Sequence, residues 1–321
     1  MREDLALARA EFLASSDDAL LPIVDAHHHF WDVAHNPHPW LTQRPRIAFR
    51  YGDYEAICRD FLPEDYARAR GAHRVMRHVT MEGEWDPQDT VGEAVWMHGL
   101  ALRTGVPHAM SAQIWLDRGD VAEVLRRYTT APLAGFVRSV RHKPRSLPRQ
   151  EYHAGWQAPG SMRCPVWRAG YARLAASGLA FELQVPWWHM GEAAELAHDF
   201  PATPIIVNHA GLPAQRDAAS LAAWRTAMAA LVPCANVRVK ISGLGVAGQA
   251  WTADAQAPVV HTLIDLFGAG RCMFASNYPV DGLVGSLDTL WSGFKQLTRT
   301  LPPAQRLALF CDNAVAAYGL D

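Results

Sequence analysis

Eight short apolar stretches, each followed by an amphipathic helical pattern, constrain the fold of this chain more than any other feature. They are predicted strands and cover residues 23–29, 73–81, 107–114, 135–141, 179–185, 204–208, 236–241 and 271–275. Eight β-α units are the number that closes a barrel. An open doubly wound sheet is the alternative, but no glycine-rich G-x-G-x-x-G turn follows the first strand. The sequence therefore predicts an α/β fold, a (β/α)8 TIM barrel.

The predicted barrel takes up nearly the whole chain. A length of 321 residues suits one barrel, so we expect a single domain over residues 1–321, with residues 1–20 as an N-terminal helical extension. A long loop, residues 31–61, follows the first strand and is rich in proline, histidine and aromatic residues. Two helical patterns, residues 287–299 and 303–318, follow the eighth strand. The second of them predicts an extra C-terminal helix.

The composition excludes several classes of partner. Lys and Arg together number 30 against 32 Asp and Glu, so no strong field attracts nucleic acid or an anionic membrane. No apolar run approaches the roughly 20 residues that a membrane span needs, and the first residues lack the apolar region of a secretory signal. Five cysteines, an odd number without C-x-x-C spacing, are typical of reduced thiols in a cytoplasmic protein. The oligomeric state stays open.

Three consecutive histidines end the first predicted strand. Alternate side chains of a strand share a face, so His27 and His29 point the same way and His28 points the other way. Two imidazoles on one face at the end of a strand suit a divalent metal ion or a polar substrate group.

Polar residues also gather where the other predicted strands stop, which is where the catalytic groups of a barrel lie. These residues are Glu82 after the second strand, Arg141 and His142 at the fourth, Gln184 and Trp187 at the fifth, His209 at the sixth, Lys240 at the seventh, and Asn277 and Asp281 after the eighth. Their common position predicts one active site.

Four motifs, V-D-A-H-H-H-F-W-D, I-V-N-H-A-G-L-P, V-K-I-S-G-L and M-F-A-S-N-Y-P-V-D, resemble the amidohydrolase-related family of the amidohydrolase superfamily. Its relatives include sugar lactonases such as L-fuconolactonase, and the pyrone-dicarboxylate and sulfomuconolactone lactonases. The resemblance runs from about residue 23 to residue 318. It implies a TIM barrel in which His27, His29 and His209 lie together at the top and could hold one divalent metal ion, with zinc the expected ion.

The end of the eighth strand departs from the superfamily pattern. Most members carry an Asp there, as metal ligand or general base, whereas Asn277 stands in this position. An amide cannot accept a proton at neutral pH and is a weak, neutral ligand. Because the family also has lactonases without metal, metal-dependent and metal-free activity both stay open.

Lactone chemistry suits such a site better than amide chemistry. Opening a lactone needs an activated water, stabilisation of the carbonyl oxygen and a proton for the departing alkoxide, while amide hydrolysis commonly uses a metal-bound hydroxide. Asp281 and Glu82 are the two candidates for the base. Asp281 could instead be a turn residue before Gly282, and Glu82 could instead form a structural ion pair with an Arg.

Other side chains are candidates for binding substrate. Arg141, beside His142, could hold a substrate carboxylate with its planar fork, unless it forms a salt bridge to Glu82 or Asp281. Lys240 could polarise a carbonyl, unless it forms an ion pair within the barrel. Gln184 lies at a strand end, and Trp31 and Trp187 lie in loops at the top of the barrel, where indole faces suit a sugar ring or an unsaturated acid.

The predicted function is therefore hydrolysis of a small lactone, either a sugar lactone or an organic-acid lactone, by water attack at the C-terminal face of the barrel. A metal-dependent, non-oxidative decarboxylase of an aromatic or unsaturated acid is one alternative. A catalytically silent barrel that binds a small molecule is the other, and Asn277 is the feature that favours it.

Overall fold

A computed structural model describes residues 4–320, and its strands form one parallel barrel. The strands are β1 (Ile23–His28), β2 (Val75–Met81), β3 (Ala109–Gln113), β4 (Val137–Arg141), β5 (Ala180–Leu183), β6 (Ile205–Val207), β7 (Val237–Ile241) and β8 (Cys272–Phe274). Each lies within its predicted range and pairs in parallel with the next in chain order. Apolar strand residues are buried on both faces, as helices around a parallel sheet require.

Contacts just beyond β8 close the ring against β1. His28 forms a parallel bridge with Tyr278, and the backbone N–H of Asn277 donates to the carbonyl of His27 at 2.7 Å. Asp25 accepts hydrogen bonds from the Ser276 backbone N–H at 2.9 Å and from its hydroxyl at 2.5 Å. The predicted TIM barrel is confirmed.

Helices follow the strands as predicted, and amphipathic spacing explains how they pack. In the helix Val121–Thr129, Val121, Val124, Leu125 and Tyr128 are buried, which is one face of a 3.6-residue period. The helices are α1 (Leu5–Ser15), α2 (Pro39–Thr42), α3 (Pro63–Ala69), α4 (Gly92–Thr104), α5 (Val121–Thr129), α6 (Pro165–Tyr171), α7 (Leu174–Ser177), α8 (Met190–Asp199), α9 (Ala218–Ala229), α10 (Ala253–Phe267), α11 (Leu287–Leu297), α12 (Pro303–Leu307) and α13 (Asn313–Tyr318).

Both ends of the chain add helices to the barrel. Helix α1 buries Leu5, Ala8 and Phe12, and Arg9 Nε lies 2.7 Å from Asp312 Oδ1. The expected N-terminal extension is therefore packed against the C-terminal part, although its first three residues lie outside the described range. The extra C-terminal helix is present in two pieces, α12 and α13, joined by a π-helical turn, Ala308–Asp312. A single domain over residues 1–321 stays a prediction.

The long loop after β1 lies at the top of the barrel and carries the short helix α2. Trp31 and Phe61 pair through two backbone hydrogen bonds of 3.0 and 2.9 Å, which closes the loop at its base. Trp40 Nε1 donates to the carbonyl of Gly83 at 2.8 Å, which ties the loop to the end of β2. The loop can therefore supply side chains to any site at this face.

Two further observations concern the described residues as a group. Among residues 4–320, no helix combines the length and the apolar character needed to cross a membrane. All five cysteines are free thiols.

Candidate active site

Three histidines meet at the C-terminal end of the barrel. His27 and His29 come from the end of β1 and His209 from the residues after β6. The ring of His27 lies 4.4 Å from that of His209 and 5.3 Å from that of His29, centroid to centroid. The structure therefore brings together the three side chains that the sequence singles out.

Hydrogen bonds at Nδ1 orient two of these rings. His29 Nδ1 lies 3.2 Å from the carbonyl of Met81, and His209 Nδ1 lies 3.0 Å from Ser242 Oγ. Both residues border an inner cavity, and within the described chain no protein group bonds to Nε2 of either. Burial lowers the pKa of both imidazoles well below 6.5, with Arg141 also lowering it. Each ring is thus neutral at pH 7, with Nε2 available to a ligand.

The turn that carries His209 is strained. His209, Ala210 and Leu212 all have positive φ, between 53° and 61°, where residues other than glycine cost about 1–3 kcal/mol each. Gly243 makes room beside it, because a Cβ on this residue would lie 2.5 Å from His209 Nδ1. Such strain marks functional sites more often than ordinary turns.

The three histidines meet only part of what a metal ion requires. His27 is fully buried and neither of its ring nitrogens has a hydrogen-bond partner, as expected of an unused ligand. However, no group of three or more His, Cys, Asp or Glu side chains in residues 4–320 is arranged to hold a metal ion. Lys240 and Arg141 also place positive charge near His27. The arrangement as it stands does not fit a metal centre.

Asn277 replaces the expected strand-eight carboxylate, and Asp281 lies directly behind it. Asn277 Nδ2 donates to Asp281 Oδ1 at 2.7 Å, and the hydroxyl of Tyr51 donates to the same oxygen at 2.8 Å. Burial raises the pKa of Asp281 to about 6, against the opposing effects of Arg50 and these two donors. Asn277 borders the inner cavity and Asp281 does not. Asp281 therefore contacts the amide that faces the cavity, and its predicted role as base stays a prediction.

Glu82 and Arg141 form the ion pair that the sequence left open for each of them. Arg141 Nε donates to Glu82 Oε1 at 2.5 Å, and Nη2 donates to the Glu82 carbonyl at 2.7 Å. Nη1 donates to Gln184 Oε1 at 3.1 Å. Burial opposes ionisation of Glu82, but the charge of Arg141 holds its pKa at about 2. Glu82 is therefore a weak base, and much of the Arg141 fork is already occupied.

Lys240 likewise has the ion pair foreseen as its alternative. Its Nζ lies 2.9 Å from Glu182 Oε2, and both side chains are completely buried. Glu182 also accepts from Asn208 Nδ2 and from the Tyr318 hydroxyl, each at 2.5 Å. Lys240 borders neither cavity at the top of the barrel. The network joins the barrel strands to the C-terminal helix α13.

The other predicted substrate contacts divide into two groups. Gln184 borders the inner cavity, whereas His142, just after β4, borders the larger cavity beside it, and its Nδ1 accepts from Trp167 Nε1 at 3.1 Å. Trp31 is fully buried and stacks on His29, with ring centroids 5.7 Å apart. It therefore packs against the histidine and is not open to a ligand. Arg149 covers Trp187, with Cζ of Arg149 4.6 Å from the centroid of the indole, and Trp187 borders neither cavity.

The site also contains residues that the sequence did not single out. Tyr51 and Arg50 come from the long loop, where no periodic pattern marks them; Arg50 Nη1 donates to the carbonyl of Gly243 at 3.0 Å. Ser242 and Glu182 lie at strand ends, so the rule that found His209 and Gln184 could also have found these two residues.

Comparison with known proteins places the chain among relatives of matching length. Residues 24–320 match the model of the amidohydrolase family. An uncharacterised Sinorhizobium fredii protein, y4mH, is 36% identical over 93% of this chain and 98% of its own. L-Fucono-1,5-lactonase of Burkholderia ambifaria is 27% identical over 93% and 96%. A Burkholderia multivorans amidohydrolase with bound zinc is 23% identical, with a TM-score of 0.76 over 93% of this chain and 99% of that one. The chain belongs to the amidohydrolase family.

Proposed function

We propose that this protein opens a small lactone by water attack at the inner cavity. The observation that carries the proposal is the pair His29 and His209, neutral imidazoles that border the cavity and whose Nδ1 atoms are bonded to the protein. The Burkholderia ambifaria relative named as an L-fucono-1,5-lactonase supports the choice of a cyclic ester.

The chemistry requires three roles at the carbonyl carbon. Nε2 of His209 takes a proton from the attacking water and returns it to the departing alkoxide. Asn277 positions the water through its amide oxygen, because its amide nitrogen is held by Asp281. Arg50 stabilises the carbonyl oxygen or a substrate carboxylate, since it borders the cavity and its guanidinium has more donors than the contact to Gly243 uses.

Arg141 is a weaker candidate for an anion anchor than Arg50. Its Nε and Nη2 bond to Glu82 and its Nη1 bonds to Gln184. Zinc binding by His27, His29 and His209 stays a prediction. The zinc of the Burkholderia multivorans protein and the unpaired nitrogens of His27 support it, whereas the arrangement of ligating side chains in residues 4–320 does not. A cytoplasmic location is likewise proposed, on the basis of the free thiols.

A lactone panel read by a pH indicator, with metal analysis of the same preparation, tests the proposal. We expect acid release by the wild type and a loss of about 10²–10⁴-fold in kcat/KM for His209→Gln, the range for a lost proton-transfer group. His98→Gln is the matched control, because His98 lies on helix α4 against Phe136 and away from both top cavities. Carbon dioxide release from aromatic acids, without hydrolysis of any lactone, would favour a decarboxylase instead.

A further inference from the structure

A second, larger cavity opens beside the inner one. Its volume is about 360 Å³, compared with about 90 Å³ for the inner cavity. Six side chains border both spaces: Trp40, Ile47, Glu82, Glu84, Arg141 and Lys143. We call the larger cavity the outer bay. The two cavities therefore adjoin each other along these six side chains.

Three indoles form the wall of the outer bay, together with Pro39, Pro87 and Ile114. Trp40 Nε1 donates to the carbonyl of Gly83 at 2.8 Å, and Trp85 Nε1 donates to Asp89 Oδ2 at 3.3 Å. With the amide of Gln113 oriented to satisfy both of its neighbours, its oxygen accepts from Trp115 Nε1 at 3.2 Å. All three indole N–H groups are thus bound within the protein, so the wall offers rings and carbon atoms instead of donors.

The charged groups of the bay are also paired. Glu82 bonds to Arg141, and Lys143 forms an ion pair with Glu84. His142 Nδ1 accepts from the Leu116 backbone N–H and from Trp167 Nε1. Among the described residues, Nε2 of His142 and the side-chain amide of Gln43 are the neutral polar groups of this lining without a protein partner. By contrast, Ile47 is 47% exposed at the junction of the two cavities, where its side chain has apolar surface left to cover. A hydroxylated substrate would find few free partners here, whereas an apolar one would gain from burial.

From this lining we infer that the outer bay binds an apolar or aromatic substituent on the lactone, so that the preferred substrate is an organic lactone with a hydrophobic side group instead of a bare polyhydroxy sugar lactone. This inference rests on the proposed lactone hydrolysis and adds the substrate class. Ring opening takes place in the inner cavity, and the substituent packs between Ile47 and the indoles of Trp40, Trp85 and Trp115.

A homologous series of δ-lactones with methyl, propyl, hexyl and phenyl substituents tests this, with L-fucono-1,5-lactone as the hydroxylated comparator. We expect kcat/KM to rise by up to about fourfold for each buried methylene, and the phenyl compound to exceed the hydroxylated one. Equal rates along the series, or a preference for the hydroxylated lactone, would overturn the inference.

Two variants locate the effect. Ile47→Asn should flatten the rise along the series, because it places an amide at the mouth of the bay. Val166→Asn is the matched control, since Val166 is 61% exposed on helix α6 and borders neither cavity; it should keep the wild-type slope. The same slope in Ile47→Asn as in the wild type would contradict the assignment.

A binding measurement separates this inference from the proposed function. δ-Lactams with the same substituents, which resist hydrolysis, are titrated by tryptophan fluorescence. A Kd that falls with chain length in the wild type and in Val166→Asn, but not in Ile47→Asn, would support the bay even if no lactone were hydrolysed. A Kd independent of the substituent would overturn the bay even if lactones were hydrolysed.

Discussion

The side-chain amide of Asn277 donates a 2.7 Å hydrogen bond to Asp281, and this contact relates the unusual end of strand eight to the site. Asp281, four residues further along the chain, accepts from Asn277 and does not border the inner cavity. Asn277 borders the inner cavity in its place. The positive φ of Asn277, 53°, is a conformation that asparagine tolerates better than most residues.

The first prediction concerns pH. Burial raises the pKa of Asp281 to about 6. Only above that pH is its side chain mostly the charged carboxylate that accepts the hydrogen bond from Asn277 Nδ2. We expect kcat/KM to fall as the pH drops below about 6. In Asp281→Asn this fall of kcat/KM near pH 6 should disappear, and only a fall at lower pH, where the histidines become protonated, should remain. A limb of unchanged position in Asp281→Asn would assign it to another group.

The ionisation of Asp281 should also change the stability of the protein with pH, and Tyr51 should influence the pKa of this carboxyl. The unfolded carboxyl ionises near its ordinary value of 3.8, below the folded one, so the free energy of unfolding should fall between about pH 4 and pH 6 and then level off. Asp281→Asn should remove this slope. Tyr51→Phe removes a donor to the carboxylate and should move the activity limb upward by about 0.4–1 pH unit.

The second prediction concerns the buried pair Glu82 and Arg141, whose side chains are 5% and 2% exposed. Arg141→Met should lower the free energy of unfolding by about 3–5 kcal/mol, because it leaves a buried carboxylate without its partner. Activity on acidic and neutral lactones should then fall together. The double variant Glu82→Gln/Arg141→Met should recover part of the stability. A selective rise in KM for acidic lactones in a stable Arg141→Met variant would instead support a carboxylate clamp.

Acid titration checks this pair independently. The pKa of Glu82 is lowered from its ordinary 4.5 to about 2, so its contribution to stability is present above about pH 4.5 and is lost as the pH falls toward 2. Urea unfolding at several pH values should show this loss in the wild type. Glu82→Gln should not show it.

The third prediction concerns metal. Asn277→Asp puts a second carboxylate within 2.7 Å of Asp281 Oδ1, and two such groups must share a proton or bind a cation. We expect the zinc content by elemental analysis to rise above that of the wild type, because an anionic oxygen joins a neutral histidine set. Unchanged stoichiometry in a folded variant would show that this position does not contribute to metal binding.

Much of the fold and part of the site could be predicted from the sequence, because they follow from periodicity. Alternation within β4 predicts that Ser139 and Arg141 face one way and Arg138 and His142 the other. The structure shows Ser139 bonded to Glu182 inside the barrel and His142 bonded to Trp167 on the helix side. The meeting of His27, His29 and His209 follows in the same way from their positions at strand ends.

The sequence left the choice between ion pairing and substrate contact open, because that choice depends on distances between strands that no spacing rule supplies. Lys240 could have faced a substrate carbonyl, but Glu182 lies within 2.9 Å of it. Tyr51 reaches Asp281 across 230 positions of sequence from an irregular loop, where no pattern marks a side chain that enters the site.

Hydrolysis of a lactone in ¹⁸O-labelled water tests the central claim most directly. Water attack on the carbonyl carbon predicts an acid product with one ¹⁸O in its carboxylate and none in its new hydroxyl, and this turnover should fall by about 10²–10⁴-fold in His209→Gln. Label in the hydroxyl, or no acid from any lactone alongside carbon dioxide from an aromatic acid, would contradict the account.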